Sequence, residues 1–382
     1  MSRAIEKLTI KGFKSIRALE DFELRSLNVL IGANGAGKSN FVDFFTMLRE
    51  MVDQNLQVYV YEHGRADAHL FLGPKVTREV VGELHFPPNW YRIKLKRTVR
   101  NELFFAEEAA GFSGGLGEKE DVLGKGHAEA TLKEYKDEPG VLGKKGIEHY
   151  VYRSVASWTV YHFHDTSDTA PVRGECSVRD NERLHADAGN LAAFLLRLRE
   201  GRSGAILKKE KAAYELIRDA VRLVAPFFDD FKLRPEPNGQ DEVVSLEWTQ
   251  KGSDYPFHSS QLSDGTLRFM CMAAALLQPH PPATMLFDEP ELGLHPYALN
   301  VLAGLMKQAA TRTQTQTQLI VSTQSAALLD CFEPEDVIVV DRKDGASQFR
   351  RLDKAQLSEW LEQYSLGELW QKNVFEGGPA CE

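Results

Sequence analysis

The chain has 382 residues, 43% of them apolar and 26% charged, with a formal net charge of −9. Its length exceeds that of one ordinary domain, and the apolar share supplies a sizeable core. The acidic balance excludes a strongly basic nucleic-acid binder, no apolar run approaches a membrane span, and the cysteines (Cys176, Cys271, Cys331, Cys381), with no C-x-x-C spacing, fit a reducing cytoplasm.

Residues 5–11, 19–24 and 27–31 read as strands. After them comes GANGAGKS, residues 32–39, a complete match to G-x-x-x-x-G-K-[ST]. An apolar strand precedes it and a helix over 40–51 comes after, which is the strand–loop–helix order a phosphate cradle requires. Its glycines let backbone N–H groups point at phosphate oxygens, next to a helix N-terminus that favours negative charge. The candidate contacts are Gly32, Asn34, Gly35, Gly37, Lys38, Ser39 and Asn40. Lys38 would reach the β- and γ-phosphates and Ser39 would hold Mg²⁺.

Residues 78–109 alternate like strands, with Trp90, Tyr91, Phe104 and Phe105 adding β-favouring bulk. Within them Arg92, Lys94 and Lys96 share one strand face, which is either a DNA-contacting patch or an ordinary solvated face. Residues 111–148, rich in Gly, Lys and Glu, read as a long mobile excursion, with β pattern resuming over 150–163. His162 and His164 fall on one face there, as a metal pair or as ordinary polar residues of a sheet. Helices come next over 190–199 and 209–224, the second stopped by Pro226, then strands over 227–233 and 243–248. The last part alternates: helix 266–277, strand 284–288, helix 296–309, strand 318–322, helix 325–331, strand 336–341. Such alternation implies a parallel sheet with covering helices. TQTQTQ, ending at Gln318, reads as a polar connector, and the aromatic stretch 360–370 reads as a helix that docks on the body or on a partner.

Two further motifs carry chemistry. The apolar strand ending at Phe287 leads into Asp288-Glu289-Pro290. An acidic pair at a strand end can divide labour, Asp288 serving the metal and Glu289 an attacking water; a plain turn is the alternative. Leu262-Ser263-Asp264-Gly265-Thr266 opens the helix 266–277. Ser263 and Gly265 at a helix start make either a second anion-binding end or a simple N-cap.

Taken together, GANGAGKS, LSDGT, FDEPELGLHP and the STQS after a strand resemble the ABC-type ATPases of the SMC/RecF/OLD group. The opening Ile10-Lys11-Gly12-Phe13-Lys14-Ser15 resembles their first strand-turn, and the likeness covers roughly 1–55 and 255–345. The resemblance implies an α/β P-loop NTPase, an ABC-ATPase head with a parallel core sheet and an antiparallel β-rich lobe over 75–165. A helical segment over 188–225 and a C-terminal docking segment over 346–382 complete a single bilobed unit.

The resemblance further implies ATP and Mg²⁺, with Lys38, Ser39 and Asp288 at phosphate and metal and Glu289 as general base. It also implies an ATP-dependent homodimer in which Ser263 and Gly265 contact the γ-phosphate held by the other copy. Expected partners are DNA and a separately encoded nuclease or toxin effector, in DNA repair or anti-phage defence, in the cytoplasm and away from membranes. The chain departs from the family pattern at the switch position, where Gln324 stands instead of histidine, and at Asp264 of the signature. It has no coiled-coil heptads between Ser39 and Ser263, and Gln54 is the candidate for the family's Q-loop glutamine. The segment after Asp341 is too short for a TOPRIM-type nuclease domain. Gln324 keeps an alternative open: a slowly hydrolysing nucleotide-switch scaffold that regulates a nuclease or toxin.

Overall fold

The computed structural model describes residues 4–114, 117–137, 145–202, 204–312, 317–375 and 377–378. Two six-stranded sheets organise it. The antiparallel one has the order β2 (Ile16–Glu23), β1 (Lys7–Phe13), β4 (Glu79–Phe86), β5 (Asn89–Arg97), β6 (Leu103–Gly114), β7 (Gly117–Gly124). The core sheet has the order β18 (Ala346–Arg351), β17 (Val337–Lys343), β3 (Leu27–Ile31), β16 (Gln318–Thr323), β15 (Thr284–Asp288), β8 (Thr159–Tyr161). From β17 to β8 its strands run parallel, and β18 closes one edge antiparallel. Two small sheets accompany them: β10 (Phe228–Lys232), β13 (Glu247–Gln250), β14 (Phe257–His258), and β11 (Glu236–Asn238), β12 (Asp241–Val244), β9 (Cys176–Ser177).

The period-2 alternation of the core strands decides the layering. Val29 and Ile31, Met285 and Phe287, and Leu319 and Val321 point into one apolar cluster. Leu30, Leu286 and Ile320, between them in sequence, point into another. A parallel sheet apolar on both faces has to be covered on both. Helices Leu191–Glu200, Asp264–Leu277 and Pro296–Thr311 bury the first face. The second is covered by helix Lys38–Val52, with Phe41, Phe44, Phe45 and Leu48, and then by the antiparallel sheet through Ile10, Val80 and Ile93. The phosphate-loop helix is thereby wedged between the two sheets.

Several sequence expectations shift. Residues 150–156 belong to a helix, Ile147–Ala156, whose Val151 and Val155 point inward at a spacing of four. Its β-branched and aromatic residues imitate a strand, but packing follows the helical period. Only Thr159–Tyr161 remains a strand there, and it joins the core sheet. Part of the expected excursion 111–148 is ordered, as the β6–β7 pairing and the short helix Leu132–Tyr135; residues 115–116 and 138–144 lie outside the described residues. The expected strand 243–248 is two short strands in different sheets. Residues 313–316 of the polar run lie outside the described residues, and Gln318 is a buried strand residue whose amide bonds the backbone of Ile5 and Arg25. At the C-terminal end Leu366, Leu369, Trp370 and Phe375 enter the first apolar cluster.

The antiparallel lobe contains a buried carboxylate. Glu108, fully buried on β6, accepts from Tyr91 Oη (2.7 Å), Thr131 N (2.9 Å) and Thr131 Oγ1 (2.9 Å), and its Oε2 lies 2.8 Å from His127 Nε2. Burial alone would raise its pKa, but the bonds from His127, Thr131 and Tyr91 outweigh burial and hold it below the ordinary 4.5. A depressed native pKa stabilises the fold above the unfolded-state value, and that contribution is lost as pH falls through the native one. Glu108→Gln should therefore cost about 3 kcal/mol at pH 7 in urea unfolding. The gap to the wild type should close as pH falls below about 4. Equal midpoints at pH 7 would show the cluster to be energetically idle.

Candidate functional site

The carboxyl ends of β3, β16 and β15 lie side by side and deliver the loops that sequence analysis singled out. Ligands of open α/β sheets bind at such ends. After β3 the chain turns through Gly35 (φ 78°) and Gly37 (φ 112°) into helix Lys38–Val52. Gly37 is required twice over: its φ is left-handed, and a Cβ there would collide with the hydroxyls of Ser347 and Ser15. Those hydroxyls close a chain of hydrogen bonds behind the loop. Asn40 Nδ2 donates to Ser15 Oγ (2.7 Å), and Ser347 Oγ donates to the Ala36 carbonyl (2.6 Å). The two hydroxyls lie 2.7 Å apart, so Ser15 is the donor between them. The expected phosphate contact Asn40 thus spends its amide on bracing the loop against β18 and the first strand-turn. Asn34, Gly35 and Ser39 are exposed and Gly32 is buried.

Lys38 is 5% exposed and folds over its own loop, donating to the carbonyls of Gly32 (2.7 Å) and Ala33 (3.2 Å). Burial lowers its pKa; the charges of Glu289, Asp288 and Glu291 pull the other way. Asp288 ends β15, and its Oδ1 is buried without a hydrogen-bond partner. Burial pushes its carboxyl above the ordinary value, and the neighbouring Glu289 charge adds to that. Glu289 takes up φ 42°, a left-handed conformation that is strained for a side-chain-bearing residue, with its N–H on Ser322 O (2.8 Å). Gln324, just beyond β16, donates its side-chain amide to Glu289 Oε1.

Two residues that sequence reasoning did not single out belong to this cluster. Glu291 accepts the backbone N–H of Gln324 (2.8 Å), with Oε2 buried and unpartnered, and burial raises its pKa. The E-P-E spacing was the available signal. Arg268, on the helix Asp264–Leu277, donates to the carbonyls of Phe163 (2.8 Å), His164 (2.9 Å) and Leu292. Nothing in its local sequence marks it.

His162 and His164 come just after the end of β8 and are exposed. Among the described residues no cluster of three or more His, Cys, Asp and Glu side chains is placed to hold a metal ion, so no third ligand gathers round these two. His164 instead lies beside Asp288, its Nε2 donating to the Asp288 carbonyl (2.7 Å). Gln54 points away, donating to Ala130 O (3.4 Å) and Glu134 (3.2 Å) in the antiparallel lobe. The basic face of β5 is neutralised: Arg92 pairs with Glu120 (2.5 Å), Lys94 with Glu107 (3.0 Å) and Lys96 with Glu79 (3.5 Å). It is an ion-pair ladder and offers no free cationic stripe to a phosphate backbone.

Ser263 caps the helix Asp264–Leu277 by accepting from Thr266 N (3.2 Å). Gly265 presses against the chain after β15; a Cβ there would collide with the Gly293 carbonyl oxygen. Among the described residues no hydrogen bond joins 263–266 to 32–40. The phosphate loop and residues 263–266 thus present separate surfaces: the first lies beside an acidic strand end, and the second is the capped start of a helix.

Residues 27–330, well over half the chain, match the family model described as "AAA domain, putative AbiEii toxin, Type IV TA system". No curated protein matches the chain. Among solved structures it is similar to an Smc head bound to the C-winged helix domain of ScpA, with TM-score 0.56 and 15% identity over 93% of this chain and 99% of that one. It is also similar to an Smc head with a coiled coil and joint from Pyrococcus yayanosii (TM-score 0.54, 12% identity, 94% and 99% covered). A third is an Smc head with an extended coiled coil bound to the C-terminal domain of ScpA, from Pyrococcus furiosus (TM-score 0.53, 15% identity, 94% and 98% covered). At these identities the likeness is one of fold.

Proposed function

The chain belongs to this family of AAA domains, with the SMC-head fold of an ABC-type ATPase, and on that premise we propose that it binds and hydrolyses ATP as a nucleotide-sandwiched homodimer. The observation that carries the reading is the pair Asp288–Glu289 at the end of β15, close enough to Lys38 for their charges to act on it. Lys38 exchanges the carbonyls of Gly32 and Ala33 for phosphate oxygens, and the N–H groups of the loop cradle the rest. The unpartnered buried Oδ1 of Asp288 and the exposed hydroxyl of Ser39 fit a divalent cation. Magnesium, when bound, neutralises charge on the β- and γ-phosphate oxygens. Glu289 accepts a proton from the attacking water. Ser263 and Gly265 meet the γ-phosphate held by the other copy, since they share no hydrogen bond with their own loop.

We place the protein in the cytoplasm, as a DNA-linked clamp or sensor in DNA repair or anti-phage defence that works with a separate nuclease or toxin effector. The family's description supports the defence setting. No helix of the described residues is long and apolar enough to cross a membrane. One observation favours a second reading, the slowly hydrolysing switch scaffold: the amide of Gln324 occupies the Glu289 oxygen that the water needs.

The test is multiple-turnover ATP hydrolysis by the purified chain, with and without linear duplex DNA, alongside size-exclusion chromatography with ATP. Turnover that rises with DNA supports the clamp. ATP binding with near-zero turnover in both conditions supports the switch. Absence of ATP binding would end both readings.

A further inference from the structure

Arg268 is 8% exposed and has no carboxylate partner among the described residues. A buried guanidinium without a counter-ion is costly unless its donors are all well used. Here they converge on carbonyls from two separate segments, Phe163 and His164 on one side and Leu292 on the other. The planar fork fixes those segments relative to the helix that carries it. A second arginine grips the same region from the other flank: Arg173, 7% exposed, donates to Thr166 O (2.9 Å), to Ser259 O and to Asp264 Oδ1 (2.8 Å). The signature motif is therefore held on both flanks to the stretch of chain beyond β8. Within that stretch His164 reaches the acidic strand end, its Nε2 donating to the Asp288 carbonyl.

We propose that Arg268 is a positioning residue that couples the signature helix to the acidic end of β15 within one copy, through the backbone of Phe163–His164 and the imidazole of His164. When Ser263 and Gly265 seat on the γ-phosphate of the partner copy, the helix they open shifts with them. Arg268 carries that shift to His164 and to Leu292, and His164 carries it to the backbone between Asp288 and Glu289. Each nucleotide site thereby registers whether its neighbour is filled. The close contact of Gly265 with Gly293 serves the same end, because it leaves no slack between helix and loop.

This inference rests on the dimer reading above, and the experiment separates the two. Arg268→Lys keeps the charge but cannot span three carbonyls. Its nucleotide affinity, measured by equilibrium binding, should stay within about threefold of wild type. Its kcat should fall about tenfold, and the Hill coefficient of hydrolysis should fall to 1. His164→Ala alters an exposed side chain at the far end of the relay, so it should fold even if Arg268→Lys does not, and should show the same pattern. In the double variant the losses should not add, since both act in one relay. A Hill coefficient and kcat unchanged in either single variant, or losses that add in the double, would overturn the proposal. Should the wild type itself fail to dimerise with ATP, the dimer reading fails first, independently of Arg268.

Discussion

Glu289→Gln should lower ATP turnover by about 10²–10⁴-fold, the usual contribution of a positioned general base, while leaving ATP binding intact. The substitution keeps size and shape, so the left-handed backbone at this position (φ 42°) and its bond to Ser322 O are undisturbed. It removes the group proposed to take the water's proton and leaves unchanged Lys38, Asp288 and residues 263–265, the proposed nucleotide contacts. The variant should therefore accumulate as a stable dimer when ATP and magnesium are added, seen as a shift in size-exclusion chromatography. Normal hydrolysis by this variant would remove Glu289 from the base role. Gln324→Ala is the companion measurement. The Gln324 amide is bonded to the Glu289 carboxylate, so its loss frees that oxygen and takes an amide away from the acidic strand end. Faster turnover would identify Gln324 as a brake, and slower turnover as a phosphate contact.

Lys38→Ala should weaken nucleotide binding strongly and with it every ATP-dependent property. Charge-assisted hydrogen bonds contribute about 1.5–3 kcal/mol each, and the proposed cradle gives the ammonium at least one to the phosphates. Affinity should accordingly fall by roughly 10- to 100-fold or more, at about 1.4 kcal/mol per tenfold. The loss should not come from unfolding. In the free protein Lys38 is buried, and burial lowers its pKa, so its charge is a cost to the fold that alanine removes. The melting temperature of Lys38→Ala without nucleotide should equal or exceed that of the wild type. Retained ATP affinity in this variant, measured by calorimetry, would mean that the glycine loop is not the phosphate cradle.

The distinction between local and long-range information explains which parts of the site are legible in the amino-acid order. The phosphate loop is a local object: strand, glycines and helix start are contiguous, and each residue's conformational need is visible in its type. The same holds for Asp288 after an apolar strand and for Ser263 at a helix start. Residues 150–156 look like a strand in sequence because β-branched and aromatic residues favour strands locally, whereas the inward positions Val151 and Val155 follow the helical period. Arg92, Lys94 and Lys96 form a basic face in sequence because their partners Glu120, Glu107 and Glu79 come from other strands of the sheet. Charge pattern along one strand cannot foresee what the adjacent strand presents.

Amino-acid order was enough for the P-loop α/β class, the phosphate and acidic motifs, and the two-faced apolar strands that demand a buried parallel sheet. These come from spacing within single elements, where backbone geometry leaves few options. Packing of the whole chain was needed to place β8 in the sheet beside β15, bringing His164 to Asp288. Packing likewise set Ser347 and Ser15 behind the phosphate loop and tied the signature helix, through Arg268, to the chain on both sides of the acidic strand end. Each of these contacts joins residues distant in the chain. A hydrogen bond between such residues exists only once apolar burial has fixed the order of the strands, and no single stretch of sequence encodes that order.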